Sequence, residues 1–169
     1  FFLMIRRPPR STLVPYTTSS DLHYSTVMHK GPTIAVIIGS FHRAYGEIML
    51  AQAHETAMHE GLQLDEPIWV PGSMEKPLAL KKALKRAAIV GAVTLGIIER
   101  GETGHGLVMA QAVIKSIIDL QLETMKPVGI GILGPEITPE QIQSRLETYA
   151  RDAVLAVSWM LRDTKNIPL

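Results

Sequence analysis

The chain contains no cysteine, which excludes disulfide frameworks, thiolate metal sites and a cysteine nucleophile together. A reducing, cytoplasmic location is the simplest expectation for such a chain. It also lacks an excess of either charge, because 17 Lys and Arg stand against 16 Asp and Glu, for a formal net charge of +1. That balance removes the electrostatic ground for a nucleic-acid or membrane-surface partner. No apolar run approaches the ~18 uninterrupted residues of a membrane span. FFLMI precedes RRPPR, the reverse of the charge-then-apolar order of a secretion signal. The pattern nearest to a zinc motif, HETAMH, spaces His54 and His59 five residues apart, so the two rings do not share a helix face and no metal site is expected.

What is present suits one compact domain: 169 residues, 46% of them hydrophobic, can bury a single sizeable core. Residues 1–30 stand apart, being rich in Pro, Ser, Thr and Arg without apolar periodicity. They are read as a leader, either disordered or non-native. The string FFLMIRRPPRSTL resembles translated adapter read-through, which would put the natural start near Met28. The domain is expected over residues 31–169. From Thr33 onward short β-rich apolar runs alternate with long helical stretches, the signature of βαβ units around a parallel sheet. Strands are expected at 33–39, in PIWV ending at Val70, in IVGAVTLGII ending at Ile98, and at 127–134. Their unbroken apolar character implies burial on both faces. Helices are expected at about 44–61, 75–88, 106–125 and 139–163, the third with apolar surface to spare. The last carries a start signal, with Thr138 at the cap, Pro139 at the first position and Gln141 completing a capping box. The expected fold is α/β, an open four-stranded parallel sheet, doubly wound with helices on both faces.

Ligands of such a sheet sit outside the carboxyl ends of its strands, so the loops SFHR, VPGSMEKP, ERGETGHG and GPEITPE carry the chemistry. Phe41 offers a ring to stack on a heterocycle, while Ser73, Glu75 and Thr103 offer partners to a polyol. Gly101, Gly104 and Gly106 allow main-chain N–H groups to approach an anion beside a helix N-terminus. The spacing fits neither a dinucleotide fingerprint nor a P-loop. His105 is the group in that loop suited to moving a proton in both directions near neutrality; its plain alternative is a cap or surface residue. Arg145 likewise has an ordinary reading as a solvated salt-bridge partner of Glu140 or Glu147.

Three blocks resemble the lumazine synthase family. VPGSMEKPLALKKAL is similar to its VPG-x-x-E-x-P segment, LGIIERGETGHG to its LG-x-x-x-x-G-x-T-x-H segment, and PEQIQSRLETYARDAV to its Arg-bearing C-terminal helix. GILGPEITPEQIQSR looks closer to the archaeal branch. The likeness runs from Thr33 to about Arg162 and implies a flavodoxin-like three-layer fold and a cofactor-free transferase. Its implied reaction joins 5-amino-6-(D-ribitylamino)uracil to 3,4-dihydroxy-2-butanone 4-phosphate in riboflavin biosynthesis. By resemblance, Phe41 packs on the pyrimidine and His42 stands where Asn is common. Ser73, Met74 and Glu75 match the segment that holds the ribityl chain, and Ile97 and Ile98 the stretch whose backbone meets the ring. Glu102 and Thr103 match the phosphate-binding turn, His105 the catalytic histidine and Arg145 the phosphate-gripping arginine. Ile130, where bacterial members have Phe, would approach from a neighbouring subunit. The resemblance implies a homopentamer, or a 60-subunit icosahedral capsid of pentamers. An archaeal-type riboflavin synthase and a non-catalytic flavin- or lumazine-binding shell protein are the alternatives.

Overall fold

The computed structural model describes residues 31–163; the expectations for the 1–30 leader and for residues 164–169 lie outside it. Strand β1 (Thr33–Gly39) is buried along almost its whole length. Ile34, Val36 and Ile38 enter one hydrophobic cluster and Ala35 and Ile37 another, because successive side chains leave a strand on opposite faces. That two-sided burial is why the run has no polar alternation. The same holds for β4 (Ile89–Glu99) and β5 (Val128–Ile137).

Every pairing in the sheet is parallel, in the order β2-β1-β4-β5, with β2 (Gln63–Leu64) and β3 (Ile68–Val70) both on the outer side of β1. The expected four strands therefore become five. β2 pairs with Thr33 and Ile34, and β3 with Ile37 through Gly39, so the pair flanks β1 as one interrupted edge. Pro67 sits at the interruption, where its missing N–H cannot continue a ladder.

Helices α1 (Arg43–His59) and α5 (Leu146–Asp163) cover one face, bringing Met49, Ala53 and Ala57 together with Ala150, Val154 and Val157 over Ile34 and Val36. Helices α2 (Lys76–Leu84) and α3 (His105–Thr124) cover the other, through Leu80, Ala83 and Leu84 with Ala110, Val113 and Ile117. This is the doubly wound α/β arrangement expected. α5 approaches β5 so closely that a Cβ on Gly129 would lie 2.0 Å from the carbonyl oxygen of Ala153. No helix of the described residues is long and apolar enough to cross a membrane.

Two helices differ from expectation, each for a visible reason. α2 stops at Leu84 rather than near residue 88, and the Lys126 ammonium donates to the carbonyls of Leu84 (2.6 Å) and Arg86 (3.2 Å) just past its end. The expected helix at 139–163 is divided into α4 (Pro139–Ile142), a 3-10 turn at Gln143–Arg145, and α5. Its capping box forms, with the Thr138 N–H donating to Gln141 Oε1 at 3.1 Å. The Gln141 carbonyl then accepts from Arg145 Nη1 (2.8 Å) and Ser144 Oγ (3.4 Å). Side chains there occupy an acceptor that the α-helical ladder would use, a competition that favours a tighter turn. α3 keeps its apolar excess: Val108 and Leu122 are 66% and 65% exposed, beside the exposed Leu107 and Ile118.

Candidate functional site

Because all strands run the same way, the turns after β1, β3 and β4 emerge at one edge of the sheet, as expected of an open parallel sheet. They enclose a cleft of about 350 Å³. Phe41 and His42 line it from the first turn, Ser73 from the second, Ile97 and Ile98 from the end of β4, and Thr103 and His105 from the third turn. Seven residues singled out in the sequence thus share one cavity.

Phe41 is 80% exposed at the mouth, its ring edge-on to that of His42 with 4.9 Å between centroids. An aromatic face in that position is free to cover a flat ring entering the cleft. His42 Nε2 lies 3.7 Å from Glu99 Oε1 at the end of β4. His105 opens α3, with Gly104 at the cap position, and its backbone N–H is 3.4 Å from Thr103 Oγ1. The imidazole therefore sits where the first turn of a 20-residue helix leaves N–H groups unpaired. That combination suits an anion beside a proton-transfer group.

The other five singled-out residues do not line the cleft within one chain. Met74 and Glu102 are exposed, and Glu75 turns back on its own loop, Oε2 accepting the Gly72 N–H at 2.9 Å. Ile130 packs against the core cluster under α2 and α3. Arg145 is exposed on the 3-10 turn, held by the Gln141 carbonyl and by Ser144 Oγ at 3.3 Å.

Of the side chains lining the cleft, Lys76, Glu99 and Met109 did not emerge from the sequence. Lys76, the first residue of α2, is 1% exposed and donates to Ser73 Oγ at 3.1 Å. Its tip passes between two glycines: a Cβ at Gly39 or at Gly96 would lie 2.9 Å from Nζ. Burial pushes the ammonium down to about 8, partly offset by the nearby Glu75 charge. A signal was available, since Lys76, Leu80, Ala83 and Leu84 form the buried stripe of α2 at helical spacing. Lysine on such a stripe is a buried cation, whereas Lys82 faces solvent.

Residues 31–165 match the family model described as 6,7-dimethyl-8-ribityllumazine synthase. A protein of that name from Staphylothermus marinus is 36% identical over 134 residues, covering 79% of this chain and 89% of its own. One from Saccharolobus islandicus is 34% identical over 141 residues, 83% of this chain and 92% of its own. A third, from Metallosphaera sedula, is 36% identical over 134 residues, with 79% and 89% covered. These relatives are archaeal, in line with the branch indicated by the GILGPEITPEQIQSR segment. With the parallel α/β sheet and the shared strand-end cleft, the match places this chain in the 6,7-dimethyl-8-ribityllumazine synthase family.

Proposed function

We propose that this chain condenses 5-amino-6-(D-ribitylamino)uracil with 3,4-dihydroxy-2-butanone 4-phosphate, releasing 6,7-dimethyl-8-ribityllumazine, phosphate and water. The observation that carries the reading is the convergence of Phe41, Ser73, Thr103 and His105 on one cleft in a chain whose relatives bear that product's name.

The chemistry asks for orientation before anything else. The 5-amino group attacks the ketone and water leaves to give an imine; loss of a carbon-bound proton then expels phosphate. The second amine closes the ring onto the remaining carbonyl, with loss of a second water. Holding two substrates face to face supplies most of the acceleration. Phe41 covers the pyrimidine while the main chain at Ile97 and Ile98 meets its edge. Ser73, Met74 and Glu75 hold the ribityl chain, Glu75 by accepting from hydroxyls once it leaves the Gly72 N–H. His105 moves protons to and from the reacting carbon and oxygen atoms. Glu102 and Thr103 form the phosphate turn at the start of α3, where a dianion gains from the helix end. Arg145 adds a guanidinium fork suited to phosphate. His42 borders the ring through the position beside Glu99.

Arg145 and Ile130 lie off the cleft of their own chain, which is understandable if sites form between subunits. The exposed apolar side of α3, with Val108, Ile118 and Leu122, supports a homo-oligomer, for which we propose the pentamer, alone or as twelve in a 60-subunit shell. A cytoplasmic location fits the cysteine-free composition.

The deciding experiment incubates the protein with both substrates and follows the absorbance of the lumazine product. Appearance of product dependent on both supports the reading, and its absence under conditions that keep the protein folded refutes it. A parallel incubation with the lumazine alone would yield riboflavin if the chain were instead a riboflavin synthase.

A further inference from the structure

Lys76 is a fully buried cation with no carboxylate bonded to it among the described residues. An ammonium carries three N–H donors, and among the described residues Ser73 Oγ is the acceptor bonded to it. Leaving the other donors unmet inside a protein is costly. Lys76, Ser73, Gly39 and Gly96 all line the cleft, and the two glycines leave only enough room for Nζ to reach it. The remaining donors face the cleft, where an oxygen atom of a ligand can take the place of water.

The neighbours decide which oxygen. Ser73 Oγ accepts from Lys76, so its own O–H is left to donate outward. Glu75, which lies off the cleft while it accepts the Gly72 N–H, can add only an acceptor on leaving that bond, and Lys76 donates only. Together they mix donors with acceptors, which suits hydroxyls, each able to give one hydrogen bond and take two. A phosphate can only accept, and the Glu75 charge beside Lys76 opposes it. We propose that Lys76 is a specificity-determining residue of the polyol subsite, its ammonium donating from the floor of the cleft to hydroxyl oxygens of the ribityl chain. This rests on the reading that the cleft takes a ribitylated substrate.

A hydrogen bond that favours the ammonium form makes binding draw in a proton above pH 8, because burial has lowered the free amine to about 8. Among the described residues the other ionisable groups around the cleft are His42 from the β1 turn, Glu99 from β4 and His105 from α3, with Glu75 beside the lysine. Lys76→Met leaves all of them in place, so the difference between the two proteins over pH 7.5–9.5 reports the lysine.

The test compares 6,7-dimethyl-8-ribityllumazine with 6,7,8-trimethyllumazine, which has a methyl group in place of the ribityl arm, by fluorescence titration of the wild type and Lys76→Met. At pH 7.5 the variant should bind the ribityl compound roughly 10- to 100-fold more weakly, the usual span for a charged hydrogen bond, and the trimethyl compound within about twofold. The ratio of variant to wild-type affinity cancels ionisation of the ligand itself and should shrink severalfold by pH 9.5. Calorimetry of the wild type and of Lys76→Met at pH 8.5, each in two buffers of different ionisation enthalpy, reads proton uptake, and the wild type should take up more than the variant with the ribityl compound only. Equal weakening of both compounds, unchanged affinity, a pH-independent ratio or equal proton uptake by the two proteins would overturn the assignment. So would selective loss of competition by inorganic phosphate in Lys76→Met, which would make this an anion site. Failure of the wild type to bind either lumazine would bring down the condensation reading as well, whereas normal turnover with an unaltered ribityl preference would remove Lys76 alone.

Discussion

Replacing Lys76 by Met should make the protein more stable at neutral pH. The lysine ordinarily titrates at 10.5 and is lowered to about 8 when folded. Between those values the unfolded chain binds more protons than the folded one, so stability rises as pH climbs from 8 towards 10.5 and is lowest below 8. The difference, 10.5 minus about 8, is about 2.5 pKa units, or about 3 kcal/mol of penalty at pH 7. Lys76 is only 1% exposed, so solvent screens little of it. Met fills the same channel without charge, and loses the bond to Ser73 Oγ, worth about 1 kcal/mol. The net gain is about 2 kcal/mol at pH 7, vanishing near pH 10. Urea unfolding at fixed protomer concentration should show it as a midpoint raised by roughly 1 M, given a slope of about 2 kcal/mol per molar for a domain of this size. A lower midpoint for Lys76→Met at pH 7, or wild-type stability that stays flat from pH 7.5 to 10, would refute the argument.

Other outcomes follow from the same geometry. His105→Ala should slow turnover by about 10²–10⁴ while both substrates still bind; single-turnover kinetics with a separate binding measurement checks this, and unchanged turnover would remove the imidazole from the reaction. Arg145→Ala should raise the KM for the butanone phosphate by roughly tenfold or more with the pyrimidine KM unaffected, and equal increases for both would count against a phosphate role. Gly129→Ala should cost about 1–3 kcal/mol through overpacking, because its Cβ would meet the Ala153 carbonyl at 2.0 Å; a melting temperature equal to wild type would show that α5 yields without cost.

The sequence revealed the features that repeat along the chain. β1, β4 and β5 are buried on both faces, and their unbroken apolar runs say so directly. The Thr138 and Gln141 capping box was likewise legible, because it needs only residues three apart. β2 was not, since two residues carry no periodicity. Nor could the 3-10 turn before Leu146 be read, because it coincides with the Arg145 and Ser144 side chains turning onto Gln141 rather than with any helix breaker. At the site, strand-end position was enough to find Phe41, Ser73, Thr103 and His105. Lys76 escaped because residue type was given more weight than position: a lysine reads as solvated even where it shares a stripe with Leu80 and Leu84.

The channel that admits the Lys76 tip makes three positions depend on one another. With lysine in place, a methyl at residue 39 forces Nζ aside, displacing the amine without unfolding the domain. Shorten residue 76 first, and alanine at 39 becomes harmless. Position 96 gains no such freedom, because its φ of +152° disfavours any side chain. Substitutions along this line are therefore order-dependent, and a lineage that discarded the lysine could afterwards vary residue 39 but not residue 96.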